Sequence, residues 1–268
     1  MPTKLGQNFL RNEEVLKKII TSADLKANDN IIEIGPGEGV LTQELIKKAG
    51  KVLAVEIDNN LFSALDSRLR GNDNIKIINE DILKINLPEL IKKNDFENLP
   101  AGRQGYKVIA NIPYYITSPI IQLFLETEFP PQEMILMVQK EVAERICSQP
   151  GQMSILSISV QYYAKPEILF YVDKKSFYPI PEVDSAVIKI SKIKNQESRN
   201  SKEETRKFFK VVKAGFSAKR KTLINNLSNS FHIDKKELEE KLAKIKITPR
   251  QRAQELRVED WKKISNLL

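Results

Sequence analysis

Four consecutive residues, Asn111, Ile112, Pro113 and Tyr114, follow the apolar run KVIA where a β-strand would end. Pro113 has no backbone N–H, so it ends the strand and releases nearby carbonyls, including its own and that of Ile112. The Asn111 amide oxygen and one such carbonyl can accept both hydrogens of an exocyclic amine, which prepares its lone pair for attack. Tyr114 can stack on an unpaired or extruded base. Alternatively, Asn111 only caps a turn or a helix starting at Ser118.

A glycine-rich loop, EIGPGEGVLT (33–42), stands between a predicted strand and a predicted helix. Gly35, Gly37 and Gly39 allow the backbone to turn tightly and let a ligand approach the helix N-terminus. A dinucleotide-binding fingerprint expects glycine or alanine where this chain has Val40. This departure, together with the lack of an evident hydride-handling pair, disfavours a dehydrogenase.

Two carboxylates end the next two predicted strands. Glu56 closes VLAVEID, about 20 residues after the glycine loop, where a carboxylate can accept hydrogen bonds from both hydroxyls of a ribose. Asp81 closes IKIINED, where it can accept from an adenine amino group. Either residue alone is also typical of a helix cap. Together with the glycine loop they predict a site for a cationic nucleoside, and we expect S-adenosylmethionine.

The elements that must position these residues follow an α/β pattern. Short apolar, β-branched runs alternate with segments of helical period from about residue 30 to residue 147. This pattern predicts a Rossmann-like parallel sheet with crossover helices, which brings the carboxyl ends of the strands to one edge. Two later runs are SILSISVQYYA (154–164), a helix or strand, and DSAVIKISKI (184–193), a closing strand.

The C-terminal part of the chain has a different character. The polar run NQESRNSKEET reads as a linker, and the residues after it read as helical, with helix starts at Asp234 and at Thr248–Pro249. We therefore predict an S-adenosylmethionine-binding domain over 1–192 and a basic helical RNA-binding domain over 193–268.

Charge is distributed unevenly along the 268 residues, whose formal net charge is +8. Residues 189–268 hold 22 Lys and Arg against 10 Asp and Glu. A basic segment on a mildly acidic body is typical of an element that binds a phosphate backbone, although a solvated helical surface is the alternative.

Composition also bounds the function. The single cysteine, Cys147, cannot form an intrachain disulfide, and the single histidine, His232, disfavours triad hydrolases and histidine-based metal sites. Apolar runs are too short to span a membrane. We expect a cytoplasmic, metal-free protein.

The chain resembles the ribosomal RNA adenine N6,N6-dimethyltransferases of the KsgA type over nearly its whole length. The runs that carry the resemblance are LGQNFL (5–10), EIGPGEG (33–39), VEID (55–58), NED (79–81), NIPYYITSPII (111–121), MVQKEVAERI (137–146), SFYPIPEVDSAV (176–187) and FSAKRKTL (216–223). The resemblance implies an enzyme that uses S-adenosylmethionine to dimethylate two adjacent adenosines in the 3′-terminal hairpin of small-subunit rRNA, with a role in subunit biogenesis. The sequence leaves the oligomeric state open, and a monomer is the default expectation. The alternatives are an RNA-binding assembly factor in which methylation is secondary, and a large-subunit methyltransferase of the macrolide-resistance type.

The resemblance also implies roles for individual residues. Those implied to bind the cofactor are Asn8, Leu10, Gly35, Gly37, Glu56, Ile57, Asp81, Ile82 and Asn111. Asn111, Pro113 and Tyr114 are implied to handle the target amine, Phe177 to stack on the base, and Lys219, Arg220 and Lys221 to contact rRNA phosphates. The loop at 94–106 is longer than usual in that family, and Tyr115 stands where asparagine is frequent.

Overall fold

The computed structural model describes residues 7–97, 105–194 and 200–268. Residues 5 and 6 of the LGQNFL run, residues 98–104 of the 94–106 loop, and residues 195–199 of the linker lie outside these ranges. The strands are β1 (Phe9–Leu10), β2 (Asn30–Ile34), β3 (Lys51–Glu56), β4 (Ile75–Asn79), β5 (Tyr106–Asn111), β6 (Glu133–Gln139), β7 (Lys165–Val172), β8 (Phe177–Tyr178) and β9 (Ser185–Ser191). The helices are α1 (Glu13–Ser22), α2 (Val40–Lys48), α3 (Asn59–Leu69), α4 (Leu87–Lys93), α5 (Thr117–Glu126), α6 (Lys140–Ile146), α7 (Ile155–Tyr163), α8 (Lys202–Gly215), α9 (Leu223–Phe231), α10 (Lys235–Lys244) and α11 (Val258–Leu267).

The main sheet has seven strands in the order β4-β3-β2-β5-β6-β9-β7. The first five strands in this order, from β4 at the edge to β6, run parallel to one another. β9 is antiparallel to both β6 and β7. The central strands are apolar on both faces, as at the fully buried Ile31 and Ile32, because crossover helices cover a parallel sheet on both sides. The predicted Rossmann-like sheet is confirmed, and the parallel strands end at one common edge.

Short polar residues cap α3 and α4, which follow β3 and β4. Asp58 accepts hydrogen bonds from the backbone N–H groups of Asn60 and Leu61 at the start of α3. Such N-caps satisfy donors that a helix leaves without internal partners, so these two helices begin at defined residues after their strands. The residues between strand and helix therefore have defined positions at the sheet edge.

Three of the strands were not predicted from the sequence pattern. β7 was not predicted, since KPEILFYV carries a proline and charges, yet it pairs with β9 along its length as the edge strand. β1 and β8 form a separate two-stranded antiparallel pair in which Leu10 lies opposite Phe177. The ambiguous run at 154–164 forms the helix α7.

The described chain divides into two compact units, one holding 7–143 and 164–194, the other 144–163 and 200–268. A boundary near residue 192 alone does not reproduce this division. Residues 144–163 group with the C-terminal helices because Tyr162 stacks on Phe208 with ring centroids 4.3 Å apart. The functions assigned to the two parts of the chain stay predictions.

The second unit is built of helices around the fully buried Trp261. A Cβ on Gly215 would overlap the Trp261 ring, so glycine lets α8 approach this side chain. Asp234 caps α10, as predicted. The predicted helix at Thr248 is wrong: Thr248 and Gln251 close a single turn, and α11 starts only at Val258. None of the helices within the described ranges has the length and apolar character needed to cross a bilayer.

Candidate active site

A pocket of about 280 Å³ opens at the carboxyl edge of β2, β3, β4 and β5. Its walls bring together most of the predicted site residues: Asn8, Leu10, Gly35, Gly37, Glu56, Ile57, Asp81, Ile82, Asn111, Pro113 and Tyr114. These residues come from five separate stretches of the chain. The parallel sheet brings four of the five to one edge, because each follows directly on a strand of that sheet.

The glycine loop forms one wall of the pocket in a left-handed conformation. Gly35, Gly37 and Gly39 have φ angles of 64°, 57° and 78°, a region that side chains other than glycine rarely adopt. A Cβ on Gly37 would also lie 3.1 Å from the Phe9 ring, and one on Gly39 would overlap Leu65. The loop therefore needs glycine both for its conformation and for its packing.

Glu56 holds this loop in place. One carboxylate oxygen accepts from the Gly37 N–H at 3.0 Å, and the other accepts from the Asp58 N–H at 2.9 Å. Burial raises the pKa of Glu56, while these backbone hydrogen bonds oppose the rise. The carboxylate thus ties the end of β3 to the glycine loop, and its remaining lone pairs lie in the pocket wall.

Asp81 and two exposed apolar side chains form the facing wall. One Asp81 oxygen accepts from the Leu83 N–H at 3.0 Å, and the other lies 3.7 Å from the Lys84 ammonium. Ile57 is 46% exposed and Leu83 is 37% exposed, whereas Ile82 is buried. Apolar side chains beside a carboxylate suit a planar heterocycle that carries an amino group.

Glu33, in the buried strand β2, is a pocket residue that the sequence analysis did not predict. Its side chain is 1% exposed, and its Oε2 has no hydrogen-bond partner among the described residues. Burial raises the pKa of Glu33 to about 8; the Thr42 hydroxyl opposes the rise and the charge of Glu56 adds to it. The Thr42 hydroxyl lies nearby without forming a well-aligned hydrogen bond. The sequence feature that could have identified Glu33 is a carboxylate inside the apolar run NIIEI.

Asn111 ends β5 with its side chain oriented by the N-terminal segment. Its Nδ2 donates to the backbone carbonyl of Asn8 at 3.2 Å, which leaves Oδ1 as the acceptor end of the amide. The Ile112 carbonyl accepts no hydrogen bond within the described residues, whereas the Pro113 carbonyl accepts from the Ile116 N–H at 3.2 Å. Of these two carbonyls, that of Ile112 is the one that accepts no hydrogen bond within the described residues, so it is the better acceptor for a ligand.

Tyr114 begins a short 3-10 helix, Tyr114–Ile116, in the pocket wall. Its hydroxyl lies 2.8 Å from the Ser185 hydroxyl at the start of β9. Burial raises the pKa of Tyr114, the hydrogen bond with Ser185 opposes this rise, and the nearby charge of Asp184 adds to it. The Tyr114 ring is therefore held in place by the hydrogen bond of its neutral hydroxyl group. The neighbouring Tyr115 ring, in contrast, is 60% exposed.

Phe177 does not lie in the pocket. Its side chain is 2% exposed and packs in the apolar core with Leu10 and Val172, so in this conformation it offers no face to a base. The alternation of side chains along β8 is the physical reason, because it turns Phe177 inward and leaves Tyr178 66% exposed. Lys219, Arg220 and Lys221 belong to the second unit, where all three are exposed.

The strand order and the glycine-lined pocket at the carboxyl edge define the chain as a methyltransferase of the Rossmann-like class I fold. Comparison with known proteins narrows this class. The model of the family described as "Ribosomal RNA adenine dimethylase" matches residues 1–268, and the chain belongs to that family. It is thus an enzyme that methylates ribosomal RNA, as the resemblance implied.

Individual relatives extend over nearly the whole chain. It is 43% identical to the ribosomal RNA small subunit methyltransferase A of Dehalococcoides mccartyi, over 97% of this chain and 86% of that protein. Among solved structures, a dimethyladenosine transferase from Plasmodium falciparum is 27% identical with a TM-score of 0.75, covering 96% of this chain and 95% of that one. The 23S rRNA methyltransferase ErmE is 26% identical with a TM-score of 0.74, covering 97% of this chain and 99% of that one.

Proposed function

We propose that the chain transfers methyl groups from S-adenosylmethionine to N6 of two adjacent adenosines in the 3′-terminal hairpin of small-subunit rRNA, giving N6,N6-dimethyladenosine. The observation that carries this proposal is the orientation of Asn111, whose amide presents an acceptor beside the Ile112 carbonyl and the pocket. The name of the relative that is 43% identical supports the small subunit as the target. We further propose a monomer that acts in the cytoplasm without a metal ion and contributes to small-subunit biogenesis.

The residues of the pocket fit S-adenosylmethionine. The glycine loop presents backbone without side chains to the pocket. Glu56 and Asp81 supply acceptors for ribose hydroxyls and an adenine amino group, and Ile57 supplies apolar contact. The buried Glu33 Oε2 lacks a partner among the described residues, as expected for a group that meets a cationic ligand. When bound, the cofactor supplies an electrophilic methyl group.

Asn111 and Ile112 act on the target amine. An adenine amino nitrogen is a weak nucleophile because its lone pair is delocalised into the ring. Two acceptors that hold its hydrogens favour a pyramidal nitrogen, whose lone pair points away from the ring and can attack. The acceptors are preorganised, since Asn111 is held by Asn8 and Ile112 by the strand end. The proton then leaves to water.

Tyr114 positions the base. A base must leave its helix to reach the pocket, and an aromatic ring replaces part of the stacking that it loses. The hydrogen bond between the Tyr114 hydroxyl and Ser185 fixes the ring before the base arrives. Pro113 acts indirectly, since its turn places Tyr114 beside Asn111 and its ring lies near Gly35.

The test offers the purified chain two substrates, small-subunit particles from cells that lack the modification and protein-free large-subunit rRNA. We expect N6,N6-dimethyladenosine, detected by mass spectrometry of nucleosides, in the small-subunit rRNA alone. Primer extension then locates the modified nucleotides. Methylation of large-subunit rRNA alone would instead support the second candidate, which the similarity to ErmE favours. Tight particle binding without turnover would support an assembly factor.

A further inference from the structure

One stretch of the second unit contains basic residues but no acidic ones. Residues 205–233 hold seven Lys and Arg and no Asp or Glu. Two later helices of this unit mix both signs: α10 interleaves its lysines with Glu237, Glu239 and Glu240, and α11 carries acidic residues beside its two lysines. Separation of positive charge along 29 consecutive residues favours contact with an anionic partner over a generally solvated surface.

Three of these cations lie on one face of α8. Arg206, Lys210 and Lys213 are separated by four and three positions, which places them above one another on a helix. All three are exposed, while Phe208 and Val212 turn into the core. At about 1.5 Å of rise per residue, the three positions extend over about 10 Å of the helix.

Among the described residues, the exposed cations of this stretch lack acidic partners. Neither the three α8 residues nor Lys219, Arg220 and Lys221 form an ion pair within the part of the chain that the structure describes. Elsewhere in the same unit three lysines are paired with acidic residues of their own helix, as Lys241 is with Glu237 at 2.8 Å. Lys210 has instead the Phe231 ring, whose centroid lies 5.6 Å from its ammonium.

A buried amide fixes the turn that follows α8. Asn226 is 3% exposed, and its Nδ2 donates to the carbonyls of Gly215 at 2.6 Å and of Ala218 at 3.1 Å. The Ala218 carbonyl also accepts from the Lys221 N–H at 3.0 Å. Because these contacts join the turn to the end of α8, the cations on both are presented together with little ordering cost on binding.

We propose that Arg206, Lys210 and Lys213, which we call the α8 stripe, extend Lys219–Lys221 into one preformed surface that binds successive phosphates of the substrate RNA. The proposal rests on the proposed function in taking RNA as the partner. A row of unpaired cations on a rigid helix suits a chain of regularly spaced anions, and it acts on affinity without reading bases.

The test compares two triple variants of the full chain that remove the same charge from the same unit. The stripe variant is Arg206→Gln, Lys210→Gln, Lys213→Gln, and the control is Lys235→Gln, Lys236→Gln, Lys244→Gln on α10. Affinity for a small-subunit rRNA fragment is measured by fluorescence anisotropy across a salt series. We expect the stripe variant to raise Kd at least about tenfold at low salt and to lower the slope of log K against log salt by roughly two.

The control variant should change both quantities far less, and methyl transfer at saturating RNA should keep its rate in both variants. Equal salt slopes in the two variants would overturn the proposal. The triple variant Arg206→Lys, Lys210→Arg, Lys213→Arg keeps the charges and should restore affinity, which separates loss of charge from loss of folding. A wild-type chain that binds with a steep slope but methylates no small-subunit rRNA would refute the proposed function and leave the stripe proposal standing.

Discussion

The side-chain amide of Asn111 donates a hydrogen bond to the backbone carbonyl of Asn8 across 3.2 Å. These residues are separated by 103 positions, so the contact forms only when the N-terminal segment packs against the end of β5. This hydrogen bond leaves the Asn111 oxygen as the acceptor end of the amide. It also joins the N-terminal segment, which is implied to bind the cofactor, to the residue proposed to hold the target amine.

Substitution Asn111→Ala should nearly abolish methyl transfer. Loss of one preorganised acceptor removes transition-state stabilisation worth about 10²–10³ in rate, while the rest of the cofactor pocket stays in place. The measurement is the single-turnover rate on small-subunit particles, beside the affinity for S-adenosylmethionine by calorimetry. Asn60→Ala is the control, because it truncates an exposed asparagine on α3, outside the pocket, and should keep the wild-type rate. Normal dimethylation by Asn111→Ala would contradict the amine-holding role.

Substitutions of Tyr114 should separate its ring from its hydroxyl. Tyr114→Phe keeps the stacking surface, so we expect kcat/KM within several-fold of wild type. Tyr114→Ala loses a stack worth about 1–3 kcal/mol, which lowers kcat/KM by roughly ten- to a hundredfold. Tyr171→Ala, which removes an exposed tyrosine ring from β7 outside the pocket, serves as a control and should have little effect. If Tyr114→Ala behaved like Tyr114→Phe, the ring would have no role in holding the base.

The variant Glu56→Gln should weaken both the cofactor and the glycine loop. A carboxamide keeps one oxygen acceptor but points an NH₂ group at either the Gly37 or the Asp58 N–H, both of which donate to the native carboxylate. We expect Kd for S-adenosylmethionine to rise by about ten- to a hundredfold, since about 1–3 kcal/mol attends such a mismatch. Calorimetry gives the affinity, and unchanged binding would show that this carboxylate does not meet the ligand.

Stability should fall as pH rises because of Glu33. Its pKa is raised from 4.5 to about 8 in the folded chain, so between these values the folded state holds a proton that the unfolded state releases. The free energy of unfolding therefore decreases with pH over this window, by on the order of a few kcal/mol. Glu33→Gln should flatten the dependence, measured by urea unfolding at several pH values.

A matched control for this prediction is Glu141→Gln, which changes an exposed carboxylate of the same unit. It should keep the wild-type dependence on pH. The binding of a cationic ligand favours ionised Glu33, so affinity for S-adenosylmethionine should also rise with pH up to about 8. A wild-type stability that stayed level from pH 5 to pH 8 would refute the assignment.

The amino-acid sequence by itself determined the sheet and the chemistry along its edge. Apolar runs of strand length and helical periods are local patterns, and so are the glycine loop and the carboxylates Glu56 and Asp81 that end successive strands. Since parallel strands end at one edge, the order of these motifs along the chain was enough to predict that they meet, and the pocket contains them.

Only the tertiary structure decided the features that depend on contacts between distant residues. Phe177 and Tyr178 are adjacent aromatics in the sequence, but pairing of β8 with β1 buries the first and exposes the second. The Pro113 carbonyl accepts a hydrogen bond inside a 3-10 turn, and Glu33 is left buried with an unpartnered oxygen among the described residues. Burial and hydrogen-bond partners arise from packing between separate segments, so a local pattern does not contain them.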